Sequence, residues 1–409
     1  MNESVLLRYS GAVPRYTSYP TAVSFSSAVD GSVYRSWLGE IEDGDSVSLY
    51  FHVPFCRSLC WFCGCQTTVA RDRGIIADYA WLLATEVDMV RSAVPARVMV
   101  RHLHLGGGTP TILGSEGLRN VIETVRERFP FSADAELAIE TDPRTLTPEV
   151  AQALGALGFN RASLGIQDLD PQVQRSVNRV QPLADCINAA TLLRDNGIAN
   201  LSIDLMIGLP HQTTAGVRQT VADAVDALDP SRVSVFAYAH VPWMKHHQKL
   251  IDAKALPDAR ERLKQAGAAA EALTQAGYVP IGLDHFARPN DSLATAARCG
   301  TLHRNFQGYT DDPATILIGF GASAIGSLAS GYVQNAHLVP DYRRAIGSGA
   351  FATSRGTALS RDDRLRREII ERLMCDLHVD LREVADRRHE DPRPLHDALA
   401  ALSQLEADG

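Results

Sequence analysis

Between Ser46 and Pro242 six short apolar runs alternate with stretches of helical period, and this alternation restricts the fold more than any other feature. The runs are SVSLYFHV (46–53), VMVRHLHL (98–105), AELAIET (135–141), RASLGIQ (161–167), LSIDLMI (201–207) and RVSVFAY (232–238). Helical text separates them, as in YAWLLATEVDMVRSA (79–93), SEGLRNVIETVRERF (115–129) and TTAGVRQTVADAVDAL (213–228). TPEVAQALGAL (147–157) opens on Thr then Pro, a natural N-cap and first-turn pair. Repeated strand–helix units of this kind build a parallel sheet with right-handed crossovers. Six units do not close an eight-stranded barrel. The expectation is therefore an α/β fold, a partial (open, about six-stranded) parallel β/α barrel.

Two flanks lie outside the repeat. Residues 1–40, with PRYTSYPT, read as an extended N-terminal arm over the barrel, which would occupy 41–289. Residues 290–409 hold a Gly-rich run, LIGFGASAIGS, then charged helical text from Arg361, and read as a smaller, mainly helical C-terminal domain. Net charge is −8 over 409 residues, which argues against nucleic acid or a membrane surface as partner. It leaves room for a small anionic substrate held by a local group of arginines. The N-terminus has no basic start followed by an apolar core, and no run approaches the ~20 apolar residues of a membrane span, so a cytoplasmic location is expected.

In that setting the stretch PFCRSLCWFCGC (54–65) stands out, with four of the seven cysteines. Clustered cysteines in a cytosolic chain point to metal or redox chemistry rather than to structural bridges. Cys56, Cys60 and Cys63 follow C-x3-C-x2-C, with Cys65 two residues on. A zinc site would split its ligands into two distant pairs, and no second pair follows. Soft thiolates crowded after a strand suit an iron–sulfur cluster, although spacing alone leaves open which three of the four bind it. Cys186, Cys299 and Cys375 are isolated and read as ordinary thiols.

The cysteine spacing after a first barrel strand resembles the radical S-adenosylmethionine superfamily. LYFHVPFCRSLCWFCGC is similar to one branch, the oxygen-independent coproporphyrinogen III oxidases. YSGAVPRYTSYP, LHLGGGTPT, AIETDPR, SLGIQD, VNRVQP, SIDLMIGLPHQT, VFAYAHVP, GLDHFARP and HRNFQGYT resemble that family in the same order, so the likeness runs nearly the whole chain. It implies a 4Fe–4S cluster on Cys56, Cys60 and Cys63, and S-adenosylmethionine, one molecule or two.

Barrel chemistry sits at the C-terminal ends of strands, and several motifs fall there. Gly106, Gly107, Gly108 and Thr109 follow the second strand, where missing side chains would let backbone N–H groups approach a ligand. The alternative is a plain tight turn. The resemblance assigns the run to the methionyl part of S-adenosylmethionine. Glu140 ends the third strand and would act as counter-charge to a sulfonium and an ammonium, or merely be a solvated carboxylate. Gln167, Arg179, Asp204, Ala239 and Ile325 match positions lining the same pocket in the family. Phe62 and Cys65 join the cofactor-binding set, Phe62 as a stacking or a packing residue. Tyr50 corresponds to a substrate contact, with a wall aromatic as its plain alternative. Arg15, Arg288 and Arg304 are suggested contacts for substrate carboxylates, since arginine's planar fork suits them.

The implied reaction is anaerobic decarboxylation of two propionates of coproporphyrinogen III to vinyl groups, giving protoporphyrinogen IX in haem biosynthesis. One electron from the cluster would release a 5′-deoxyadenosyl radical that takes hydrogen from a propionate β-carbon. An unidentified low-potential electron donor and an electron acceptor are implied, and a monomer is expected. Two relatives compete: a haem chaperone without decarboxylase activity, and a haem-degrading radical methyltransferase. Cys65 disfavours the chaperone, whose relatives usually have Phe there. Family members usually continue past the point where this chain stops, so its C-terminal part is expected to be shortened, with cofactor cleavage poorly coupled to decarboxylation.

Overall fold

The structure, a computed structural model, describes residues 3–9, 18–95, 97–390 and 396–408. Every predicted run is a strand. The first are β1 (Ser46–Val53), the short β2 (Phe55–Cys56) and β3 (Thr68–Val69), β4 (Met99–Gly107) and β5 (Phe131–Thr141). Then follow β6 (Arg161–Gln167), β7 (Asn200–Ile207), β8 (Arg232–Ala237), β9 (Val279–Ile281) and β10 (His285–Ala287). The remainder are β11 (His303–Arg304), β12 (Tyr309–Thr310), β13 (Ile316–Phe320), β14 (Ile325–Ser327), β15 (Gly331–Asn335) and β16 (Thr353–Ala358). One 12-stranded sheet runs β16-β15-β14-β13-β1-β4-β5-β6-β7-β8-β10-β9. The strands from β13 through β8 are parallel, and both edges are antiparallel.

The partial barrel thus holds one parallel strand more than expected. β13 comes from the Gly-rich run assigned to the C-terminal domain, and with β14–β16 it extends the sheet well past residue 289. Only the helices Arg361–Asp376, Leu381–Arg388 and His396–Asp408 form the helical C-terminal part. The N-terminal arm is not wholly extended. Asp30 caps a helix over Gly31–Leu38 by accepting from the Ser32 and Val33 amides, and that helix buries Tyr34, Trp37 and Leu38. Ser26 exchanges two backbone bonds with Gly356, which closes the exposed edge of β16.

Period two explains the two faces of the sheet. On β1, Val47, Leu49, Phe51 and Val53 are fully buried against the helices, while Ser48, Tyr50 and His52 face the lumen. The register sets Ser48 beside His102, Tyr50 beside His104 and His52 beside Gly106, so one polar row crosses from strand to strand. Thr147 does cap its helix, accepting from the Val150 amide.

A buried carboxylate ties the sheet to the helix Arg73–Ala93. Glu86, fully buried, accepts from the Gly321 amide, Asn335 Nδ2 and Tyr342 OH, each at 2.7 Å. Burial pushes its carboxyl up to about 7 from 4.5. The folded chain therefore binds more protons than the unfolded one between about pH 4.5 and 7, so this contribution to stability falls as pH rises through that window. The shift corresponds to about 3 kcal/mol. Urea unfolding should show the wild type losing about that much more than Glu86→Gln between pH 5 and pH 8; parallel pH profiles would refute the assignment.

Candidate functional site

The cysteine loop leaves the C-terminal end of β1 and is pinned on several sides. At its base β2 and β3 pair, Phe55 with Thr68 and Cys56 with Val69. On one flank the Trp61 amide donates to Val177 O and Asn178 Nδ2 to Leu59 O, both at 2.9 Å. On the other, Lys245 Nζ, His247 Nε2 and Gln248 Nε2 reach the carbonyls of Cys65, Cys63 and Phe62 at 3.0, 2.8 and 3.3 Å. Phe62 is buried with Cys60 among Val173, Val177, Leu209 and Tyr238.

Each sulfur of the three-cysteine set has its own neighbours. Thr109 Oγ1 donates to Cys56 Sγ at 3.5 Å, and Cys63 Sγ lies 3.9 Å from Thr67 Oγ1. Two guanidinium groups converge on the buried Cys60: Arg179 Nη1 at 3.4 Å and Arg144 Nη2 at 3.6 Å. Behind them Asp142 accepts a fork from Arg144, at 2.9 and 2.6 Å, and stands 3.7 Å from Arg179. Burial pushes the Cys56 thiol up to about 11. Hydrogen bonding from Cys65 pulls the Cys63 thiol down, and the same contact together with burial pushes the Cys65 thiol well up. Among the described residues no three ligating side chains converge on a single point.

The glycine run meets a packing need of its own. A Cβ on Gly107, at φ +110°, would meet the His52 ring at 2.5 Å, and one on Gly108 would meet Phe55 O at 2.6 Å. The absent side chains thus let β4 pass close under the cysteine strand. The amides are already spent: Gly107 N donates to Glu140 Oε2 at 2.9 Å, Gly108 N to Val53 O and Thr109 N to Phe55 O, both at 2.8 Å. Glu140 also meets His104 Nε2 at 3.4 Å and keeps 40% of its side chain exposed. Burial opposes its charge, yet the His104 and Gly107 contacts hold its carboxyl below the ordinary value.

Around that carboxylate the lumen is polar. Tyr50 OH bonds His52 Nδ1 at 3.0 Å and its ring stacks on His104; burial and then the Glu140 charge push its phenol well up. Asp204 accepts from Ser163 Oγ at 3.1 Å, and burial, then Glu140, raises its carboxyl. Gln167 ends β6 at φ 68°, a strained backbone for a residue with a side chain, and its buried Oε1 has no donor within the protein. Arg179 donates to Gly165 O at 2.5 Å, and its Nε has no acceptor. Ala239 lies exposed just beyond β8, its carbonyl accepting from Gln248. Ile325 packs instead toward Phe25, Tyr332 and Leu359, so its side chain joins an aromatic cluster rather than the cysteine loop.

The three arginines suggested for substrate carboxylates separate. Arg15 lies outside the described residues. Arg288 is at the wrong end of the sheet: its amide bonds Ser231 O, before β8 begins, and its guanidinium is held by Asp229 and Ala276 O over the Tyr278 ring. Arg304, 7% exposed, lines a cavity of about 690 Å³ beside the C-terminal helices with Arg364, Arg367, Arg372, Arg387 and Arg388. Its Nε and Nη1 have no hydrogen-bond partner within the protein. Leu317 lines this cavity and packs on Tyr50, so the cavity adjoins the lumen. Sequence reading missed Asp142, Arg144, His52, His104 and the 245–248 clamp. Arg144 stood within the AIETDPR motif, and the two histidines share the period-two face of Tyr50.

Comparison with known proteins agrees with this geometry. Residues 50–224 match the model of the Radical SAM superfamily, and 359–409 that of the HemN C-terminal domain. The oxygen-independent coproporphyrinogen III oxidase of Bradyrhizobium diazoefficiens is 48% identical, covering 97% of this chain and 88% of that protein. Its namesake in Synechocystis is 39% identical over 99% of this chain and 88% of its own length. Coproporphyrinogen III oxidase (HemN) from Escherichia coli, described as a radical SAM enzyme, superposes with a TM-score of 0.93 at 38% identity, covering 99% of this chain and 92% of that one. With the cysteine loop at the mouth of the same barrel and the likeness running from end to end, the chain belongs to the oxygen-independent coproporphyrinogen III oxidase family of the radical SAM superfamily.

Proposed function

We propose that the chain converts coproporphyrinogen III to protoporphyrinogen IX by oxidative decarboxylation of two propionates, in haem biosynthesis. The observation that carries this is the three-cysteine loop, with Cys60 under two arginines, opening on a lumen lined by Tyr50, Glu140 and Asp204. Superfamily membership implies a 4Fe–4S cluster and S-adenosylmethionine, which together supply a one-electron reduction and a carbon radical. The residues fit these groups. Three thiolates provide the ligands, and Gln167 Oε1 and Arg179 Nε are a buried acceptor and a buried donor without partners.

Within that reading, Glu140 takes the ammonium of S-adenosylmethionine, with the Gly107 amide and His104 fixing its orientation. Asp204, Gln167, Ala239 and Phe62 border the rest of that molecule, and room for a second copy is part of the proposal. Glu140→Gln should weaken S-adenosylmethionine binding by about 1–2 kcal/mol, roughly five- to thirtyfold in Kd, without loss of iron. An unaltered Kd would return Glu140 to a structural role.

Arg304 and the arginine-lined cavity take propionates that are not removed, which sets the reacting side chain toward Tyr50. Arg304→Gln should raise KM for the porphyrinogen about tenfold, the value of one charge-assisted bond, with S-adenosylmethionine affinity unchanged. An unchanged KM would exclude Arg304 from the substrate site. No helix among the described residues is long and apolar enough to cross a membrane, and the proposed place of action is the cytoplasm. Anaerobic incubation of reconstituted protein with coproporphyrinogen III, S-adenosylmethionine and reductant tests the function. Vinyl product is expected. Methylated or ring-opened product, or haem held without turnover, would overturn the reading.

A further inference from the structure

The loop that clamps the cysteine loop carries a feature the chemistry above leaves unused. All four lysines of the chain, Lys245, Lys249, Lys254 and Lys264, fall between residues 245 and 264, in a protein of net charge −8. Beside them Trp243, Met244 and Leu250 are 71, 70 and 60% exposed. Single exposed apolar side chains are ordinary, but three of this size on one short loop with a basic rim mark an interaction surface. The surface is one layer from the thiols, because Lys245 and His247 of the same loop bond the carbonyls of Cys65 and Cys63.

We propose that residues 243–254 are the docking surface for an acidic one-electron carrier protein, seated over the cysteine loop. This rests on the reading that the loop holds a reducible cluster. The carrier would give up one electron and be oxidised, and the cluster would gain it and be reduced; no proton or group moves. Charge complementarity selects the occupant. The lysine rim attracts an acidic partner here and orients it. Trp243 and Met244 would supply the dry centre of the contact, methionine being adaptable at such surfaces.

The test uses the full chain, anaerobically reconstituted, with a reduced plant-type [2Fe–2S] ferredoxin, a low-potential carrier, as probe. Lys249→Glu/Lys254→Glu and, separately, Trp243→Ala are compared with wild type by binding and by the rate at which the visible cluster band bleaches. Lys245 is left intact because it supports the cysteine loop. Each variant should bind ferredoxin at least tenfold more weakly and be bleached at least tenfold more slowly by it, with dithionite bleaching unchanged. Added salt should slow the wild type more than the charge-reversed chain. Equal ferredoxin rates, or equal slowing with dithionite, would overturn the proposal, as would this surface serving instead for self-association or anionic vesicles. A wild-type chain that no reductant bleaches would overturn the cluster reading itself, a separate outcome.

Discussion

Replacing Cys60 by alanine is expected to abolish both the visible absorbance of the reconstituted protein and all turnover. Cys60 is buried, and its sulfur is the one that meets both Arg144 and Arg179. Those cations would offset the negative charge of a thiolate-ligated cluster. Without the sulfur, two guanidinium groups face an empty space and the cluster lacks one of three protein ligands. Cys56→Ala and Cys63→Ala should behave alike. Cys65→Ser should keep near-normal iron, because the Cys65 carbonyl held by Lys245 is preserved and a serine hydroxyl can still meet Cys63. Iron and sulfide analysis decides the matter. Loss of iron from Cys65→Ser, with one of the other three dispensable, would show the ligand assignment to be wrong.

The second large effect is expected at Arg179. Its side chain is 9% exposed and joins three partners that no other residue can join: Gly165 O, Cys60 Sγ and, more distantly, Asp142. Arg179→Met removes a buried positive charge and leaves the Gly165 carbonyl with one donor fewer. Breaking a buried pair of this kind costs about 3–5 kcal/mol. Urea unfolding should register that loss, and the cluster's midpoint potential should move to more negative values, since a cation beside Cys60 favours the electron-rich state. Arg179→Lys should recover only part of either, because an ammonium cannot span all three partners. Unchanged stability together with an unchanged potential would reduce Arg179 to a passive wall residue.

The barrel was legible because its strands bury one full face under helices, so apolar residues recur at every second position between helical segments. β13 escaped because it is five residues long, lies inside a glycine-rich run and follows no helical segment of the repeating kind. The helix Gly31–Leu38 escaped because it is only eight residues long, although Val33, Tyr34, Trp37 and Leu38 keep a helical spacing and Asp30 supplies a cap. At the site, the cysteines, the glycines and Glu140 stand out in the text because short spacings define them. Long-range pairings do not. Nothing in the text joins Arg179 to Cys60, 119 positions away, or shows that the Gly107 amide answers Glu140. Arg288 misled for a related reason, because a sequence does not show that β10 runs antiparallel and delivers it to the far end of the sheet.

The central claim is that a radical generated at the cysteine loop takes hydrogen from a propionate β-carbon of the porphyrinogen held in the lumen. The most direct measurement is a single-turnover reaction with coproporphyrinogen III deuterated at the propionate β-carbons, followed by mass analysis of the 5′-deoxyadenosine. The account predicts one deuterium in the deoxyadenosine for each carbon dioxide released. Unlabelled deoxyadenosine accompanying vinyl product, or label appearing without loss of carbon dioxide, would contradict it.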